Sequence, residues 1–220
     1  MAVKKSAIIF GATGLIGGHL LRELLDNPEY GKVIAVVRRE MDVRHAKLIQ
    51  LVADLQSVEN IKDQLVADDV FCCLGTTRKK TPDLKDYYRI DHDYPVNAAR
   101  LTKANGAKAF FLVSAVGADA DSGNFYLRMK GQTERDVVAV GMERTHIFRP
   151  SLLRGERSEK RWAESFAKGV FTVVDALLVG GLANYRSVPA AWVARAMNRA
   201  AGQTKGGVRV YYWKDIKQLV

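Results

Sequence analysis

A short apolar run, Ala7 to Phe10, passes directly into Gly11-Ala12-Thr13-Gly14-Leu15-Ile16-Gly17, and Leu15 to Leu25 follows with helical period. Three glycines at a strand-to-helix junction leave few folds open. A tight turn needs backbone freedom at Gly11 and Gly14, and the missing Cβ of Gly17 lets a helix lie close on its sheet. The free N–H groups and the positive dipole end of that helix make a site for an anion such as a pyrophosphate. Leu20, Leu21, Leu24 and Leu25 fall on one side of the helix, with Arg22, Glu23 and Asp26 on the other. The glycine spacing is three and three, where the common dinucleotide fingerprint has two and three. Its weight comes from its placement, at the end of the first strand and the start of a helix.

The same alternation continues along the chain. Lys32 to Val37, Leu48 to Val52, Val70 to Cys73, Ala109 to Val113 and Thr145 to Phe148 read as strands, rich in Val, Ile, Phe and Ala without strict alternation. Strands buried on both faces of a parallel sheet look like this. Tyr94 to Ala104, Leu127 to Val140 and Ala190 to Ala201 have helical period, and a last short strand is expected around Val208 to Tyr212. The expected fold is α/β, a Rossmann doubly wound parallel sheet with right-handed crossovers, formed by residues 1–220 as one nucleotide-binding domain. After Arg149-Pro150 the rhythm changes. Residues 151–189 hold a polar loop, an apolar helical stretch and a Gly180-Gly181 break, and read as a lid or substrate-covering excursion over the strand ends.

Composition narrows the partners. The net charge of +10 raises the question of nucleic acid, yet the tightest basic groups are Arg38-Arg39 and Arg78-Lys79-Lys80, and no nucleic-acid motif accompanies them. A solvated basic surface, or one suited to anionic small molecules, is the expectation. Cys72 and Cys73 are adjacent and cannot staple distant segments, so no secreted disulfide framework is built. Gly11 interrupts the N-terminal apolar run too soon for a signal peptide. Glu164, Lys168 and Asp175 break the apolar stretch 163–183, which argues against a membrane span and leaves it as a lid, a core piece or a face for a protein partner or a second copy. These features together predict a soluble, cytoplasmic protein.

The end of the second strand selects the nucleotide. An NAD site usually places a carboxylate there for the ribose 2′-hydroxyl; this chain has Arg38-Arg39, whose planar forks suit a 2′-phosphate. NADP(H) is therefore expected in preference to NAD(H). Gly11, Thr13, Gly14, Leu15, Ile16 and Gly17 would take the pyrophosphate, Asp54 would meet the adenine edge, and Leu74-Gly75-Thr76 would lie along the ribose, with Pro150 also at the cofactor.

Chemistry is carried by Ser114, at the end of the fifth strand, and by Tyr126-x-x-x-Lys130 in the next helix. Residues four apart share a helix face. A phenol with a pKa near 10 is a poor acid–base group at neutral pH, but a nearby ammonium and an oxidised nicotinamide stabilise its phenolate. Ser114 would hold the substrate carbonyl. Tyr-x-x-x-Lys is expected roughly 0.6 times by chance in a chain of this composition, so the pair gains its meaning from following the fifth strand. Arg78, Ser151 and Arg154 follow strand ends and are candidates for the substrate pocket. His19, His45, His92 and His146 show no metal-ligand spacing, and no metal site is expected.

The phosphate loop, Arg38-Arg39, Phe71-Cys72-Cys73-Leu74-Gly75-Thr76-Thr77-Arg78, Asp91-His92-Asp93-Tyr94, Ser114 with Gly117-Ala118-Asp119, Tyr126-x-x-x-Lys130-Gly131 and Phe148-Arg149-Pro150 together resemble the Tat-interactive protein group of atypical short-chain dehydrogenases. The resemblance covers nearly the whole chain, except 163–183. It implies a Rossmann fold, NADP(H) across the strand ends, and Ser114, Tyr126 and Lys130 as a Ser-Tyr-Lys set. An NADP(H)-dependent oxidoreductase acting on a carbonyl or alcohol is the leading expectation. An NADP(H) sensor without turnover is the alternative, and a nucleotide-sugar epimerase or dehydratase comes third, because little chain is left for a sugar-nucleotide domain. No kinase motif is present.

Overall fold

The computed structural model describes residues 4–54, 56–154, 178 and 180–220. The first strand, β1 (Lys5–Phe10), leads into α1 (Leu15–Asp26), β2 (Tyr30–Val37) and β3 (Leu48–Val52). A 3₁₀ turn (Val58–Gln64) precedes β4 (Asp69–Cys72), and α2 (Leu84–Tyr88) runs through a π turn (Arg89–Asp93) into α3 (Tyr94–Ala104). Then come β5 (Ala109–Val113), α4 (Phe125–Ala139), β6 (Arg144–Phe148) and the two-residue β7 (Leu153–Arg154). The chain ends with β8 (Val188–Pro189), α5 (Ala190–Ala200), β9 (Gly207–Tyr211) and α6 (Trp213–Gln218).

Seven strands form one parallel sheet in the order β3-β2-β1-β4-β5-β6-β9. This is the doubly wound Rossmann architecture expected. Non-alternating strands bury alternate residues on opposite faces. Ala7 and Ile9 join a core with Leu20 and Leu24 of α1 and Val193 and Met197 of α5, while Ile8 and Phe10 join a second core with Val96 and Ala99 of α3 and Val137 of α4. In-register pairing also stacks rings across the sheet. Phe71 on Phe111 and Phe111 on His146 both sit 4.6 Å centroid to centroid, close to the spacing of the strands that carry them.

The winding reverses between β1 and β4. Chain entering from β1 moves outward to β2 and β3, then crosses back to β4 and continues the other way. The two strands' connections diverge there and leave a crevice at their C-terminal ends, the place where ligands bind in such sheets.

Two features differ from the sequence expectation. The chain closes on α6 after β9, and residues 84–93 are helical ahead of α3. The second has a chemical cause in Pro95. Its ring nitrogen cannot donate to the carbonyl of Asp91, four residues back, and its ring would crowd that carbonyl. The helix widens into a π turn there, and the freed Asp91 carbonyl accepts instead from the Thr133 hydroxyl of α4 at 3.0 Å. Of the expected excursion 151–189, β7 pairs with β8 in a separate two-stranded sheet, and Gly180–Tyr185 forms a 3₁₀ turn. Residues 155–177, which include Trp162 and most of the apolar stretch, lie outside the described residues. Among the described residues no helix is long and apolar enough to cross a membrane.

Candidate functional site

The crevice floor is built by close backbone approach. Gly11 has φ of +84°, and a Cβ there would stand 2.7 Å from the carbonyl oxygen of Cys73, so the loops after β1 and β4 touch main chain to main chain. A Cβ on Gly17 would stand 2.0 Å from the Gly11 oxygen, which seats the first turn of α1 directly on the loop. The Gly14 amide donates to the Gly11 carbonyl at 3.0 Å, and Gly14 stands at the N-cap of α1 with no side chain capping the helix. The first amides of α1 thus face an exposed Thr13-Gly14 cradle without a protein acceptor on the cap, which fits a pyrophosphate.

Arg38 and Arg39 follow β2 and are exposed. Asp54 is exposed as well, but one of its oxygens, Oδ1, accepts from the amides of Gln56 and Ser57 and from the Ser57 hydroxyl. These bonds, led by those from Ser57, hold its carboxyl below the usual range. Asp54 is therefore first of all the cap of a turn. Burial pushes the Tyr94 hydroxyl up to about 12, with Asp54 adding to the rise and Arg38 and Arg89 opposing it. Tyr94, which the sequence placed at a helix start and at the end of the Asp91–Tyr94 motif, thus lies near Asp54 and Arg38.

Helix α4 carries the proposed chemistry. The Asn124 side chain accepts from the Tyr126 and Leu127 amides at 2.9 and 3.2 Å, starting the helix two residues ahead of the position that apolar period suggested. A Cβ on Gly131 would lie 2.1 Å from the Ala120 nitrogen, so α4 rests on the backbone of the loop that follows β5. Tyr126 is 38% exposed, one helical turn from the buried Lys130. Lys130 Nζ contacts Asp91 Oδ1 at 2.8 Å, and Asp91 Oδ2 accepts from the Thr76 amide at 2.8 Å. Burial alone would depress the Lys130 ammonium; Asp91, and then Tyr126, reverse that and raise it. Asp91 ties the loop after β4 to the helix bearing Tyr126 and Lys130. It stands in the resembling motif, but nothing in its local sequence marks its partner.

Ser114 departs from its expected part. It is buried, and its hydroxyl donates to Glu134, which also receives Arg149 through Nε at 2.9 Å. Arg149 Nη1 donates to the Tyr212 hydroxyl at 2.9 Å. A carboxylate is a stronger acceptor than a neutral carbonyl, and in this structure the Ser114 hydroxyl is engaged with Glu134. The fold therefore brings Tyr126 and Lys130 together and turns Ser114 into a Glu134–Arg149 network.

Among the substrate candidates, Arg78 is exposed beyond β4. The Ser151 hydroxyl donates to the Arg186 carbonyl, tying the two flanks of the excursion together. Arg154 is exposed in β7. Leu74 and Thr76 are half-buried and Gly75 exposed at the crevice edge, and Pro150 is buried, its carbonyl accepting from the Val116 amide at 2.9 Å.

A family model described as NAD(P)H-binding matches residues 11–171. The chain belongs to this NAD(P)H-binding Rossmann family. Protein HTATIP2 of Rattus norvegicus is 36% identical over 197 residues, covering 88% of this chain and 79% of that protein. The mitochondrial protein fmp52 of Aspergillus niger is 34% identical over 225 residues, covering 96% of each. These matches agree with the resemblance read from the motifs. Among solved structures, MoeE5 in complex with UDP-glucose and NAD matches with a TM-score of 0.70 at 20% identity, over 93% of this chain and 74% of that one. A putative NAD-dependent epimerase/dehydratase from Bacillus halodurans matches with a TM-score of 0.69 at 22% identity, over 97% and 99%. At these identities the two structures establish the fold alone. The cytoplasmic expectation is corrected by the relatives, since the fmp52 proteins of Aspergillus niger, Kluyveromyces lactis and Saccharomyces cerevisiae are named as mitochondrial. Two adjacent free cysteines do not tell one reducing compartment from another.

Proposed function

We propose that the protein is an NADP(H)-dependent oxidoreductase acting on a carbonyl or alcohol, with residues 1–220 working as one nucleotide-binding unit. The observation that carries this reading is the pairing of an accessible Tyr126 with a buried, charged Lys130 on one face of α4, beside the crevice where the glycine cradle lies. Gly11, Thr13, Gly14, Leu15, Ile16 and Gly17 would receive the pyrophosphate, and Arg38 and Arg39 the 2′-phosphate. Leu74, Gly75, Thr76 and Pro150 would flank the ribose and nicotinamide, and the free oxygen of Asp54 would face the adenine side. A nicotinamide held there would supply hydride chemistry at the substrate carbon. Tyr126 moves the proton at the substrate oxygen, and the Lys130 ammonium lowers the cost of its phenolate. Arg78 and Arg154 are open to an anionic group on the substrate. The names of the fungal relatives support a mitochondrial setting for the same chemistry.

Calorimetric titration with NADPH and NADH tests the cofactor. NADPH is expected to bind more tightly, and Arg38→Ala/Arg39→Ala to weaken NADPH by about tenfold to a hundredfold while leaving NADH nearly unchanged. Equal binding of both nucleotides by the native protein would refute the preference. Tyr126→Phe is expected to bind NADPH normally and to lose turnover of any carbonyl the native protein reduces. Equal turnover in that variant would remove Tyr126 from the chemistry.

A further inference from the structure

Two helical segments pack side by side with matched spacing. Helix α4 presents Tyr126 and Lys130, and the segment from α2 into the π turn presents Tyr87 and Asp91, also four apart. One rung is closed by the Asp91–Lys130 ion pair at 2.8 Å. At the other rung the Tyr87 ring packs against Phe125, the neighbour of Tyr126, at 6.1 Å and a tilt of 43°.

Tyr87 is only 6% exposed, yet its hydroxyl has no hydrogen-bond partner among the described residues. Among the described side chains the only fully enclosed polar atom without a partner is His146 Nε2, so the Tyr87 oxygen still reaches open space. The groups that act on it are those of the site. Burial pushes the hydroxyl up to about 12, Asp91 and Tyr126 add to the rise, and Lys130 and Arg78 oppose it. At neutral pH Tyr87 is therefore a protonated phenol with a donor to give. Ser114, the residue whose chemistry would suit that task, already donates its hydroxyl hydrogen bond to Glu134.

We propose that Tyr87 is the second hydroxyl of the site, donating a hydrogen bond to the substrate oxygen alongside Tyr126, in the place that Ser114 would otherwise fill. This rests on the carbonyl-oxidoreductase reading above. It makes α2 a determinant of specificity, because a substrate must bring its oxygen within reach of both phenols. It also gives the π turn a purpose, since the turn carries Asp91 to Lys130 and sets the position of Tyr87 one helical turn earlier.

The test uses the full-length protein, NADPH or NADP⁺, and 9,10-phenanthrenequinone as a generic carbonyl probe. Tyr87→Phe removes one oxygen from a ring that stays packed on Phe125. It is expected to retain NADPH affinity within about twofold and to lower kcat/KM for the quinone by about tenfold or more. That loss should exceed the loss in Ser114→Ala. Independently of turnover, the Cζ resonance of Tyr87 in ¹³C-tyrosine-labelled protein, assigned by its absence from Tyr87→Phe, should move when the quinone is added to the NADP⁺ complex. It should not move with NADP⁺ alone. A larger loss in Ser114→Ala, or a Tyr87 resonance unmoved by the quinone, overturns the proposal. A native protein that fails to oxidise NADPH with the probe removes the oxidoreductase reading, and the resonance then decides the role of Tyr87 by itself.

Discussion

Gly17 and Gly18 are neighbours in α1, and the same substitution at each should have opposite effects. An alanine Cβ at position 17 would lie 2.0 Å from the Gly11 oxygen and 2.8 Å from its carbonyl carbon. Real Cβ contacts essentially never fall below 3.0 Å, so the backbone of helix and loop must separate by about 1.0 Å. Neither partner is a side chain that can swing aside. At position 18 the nearest atom is the Ala12 oxygen at 3.6 Å, an ordinary contact. Both substitutions gain about 1 kcal/mol of helix propensity. At Gly18 that gain stands alone, and Tm should rise by about 2–4 °C. At Gly17 it is set against overpacking at the upper end of the usual range of about 1–3 kcal/mol, for a net loss of about 2 kcal/mol and a fall in Tm of roughly 4–8 °C. Displacing the Gly11 carbonyl also disturbs its bond from the Gly14 amide and the cradle of α1. NADPH affinity in Gly17→Ala should fall at least about tenfold, against less than about threefold in Gly18→Ala. Differential scanning fluorimetry and calorimetric titration of the two variants give all four numbers. Similar Tm values for the two variants, or an unchanged NADPH affinity in Gly17→Ala, would refute the argument that backbone contact shapes this loop.

Asp91→Asn keeps an acceptor for the Thr76 amide but leaves the buried Lys130 ammonium without its counter-charge. It should lower the unfolding free energy by about 3–5 kcal/mol in urea denaturation, and a loss below about 1 kcal/mol would show that the pair is not buried in effect. His146, 1% exposed between Phe111 and Tyr211, is held down to about 4 by burial first and then by Arg144 and Arg209, from an ordinary value of 6.5. The unfolded chain therefore binds more protons between these values, and stability should fall as pH drops from 6.5 toward 4, by about 3 kcal/mol in all. His146→Phe should abolish that part of the slope in unfolding curves taken across this range; an identical pH dependence in the variant would exclude His146 as its source.

The strands, the glycine loop and the face shared by Tyr126 and Lys130 were legible because each is written in a local pattern. Apolar runs buried on both sides report a parallel sheet. Glycines at a strand-to-helix junction report backbone approach, and i, i+4 spacing reports a helix face. The early start of α4 was also written locally, in Asn124, but apolar period does not register a cap. The partners of these groups were not legible. Ser114 follows β5 as its expected role requires, yet its hydroxyl donates to Glu134 twenty residues on, and only the packing of α4 against the sheet decides that. Asp91 meets Lys130, and Tyr87 meets Phe125, because Pro95 forces a π turn and sets the angular phase of the preceding helix.

Sequence by itself thus determined the kind of sheet, the location of the glycine cradle and the helix bearing the tyrosine and lysine, since all three are signalled by patterns within short stretches of chain. Tertiary structure alone decided which hydroxyls are free and which are taken. A hydrogen bond between elements depends on the relative rotation of two helices and the depth at which they seat, and no local period encodes either.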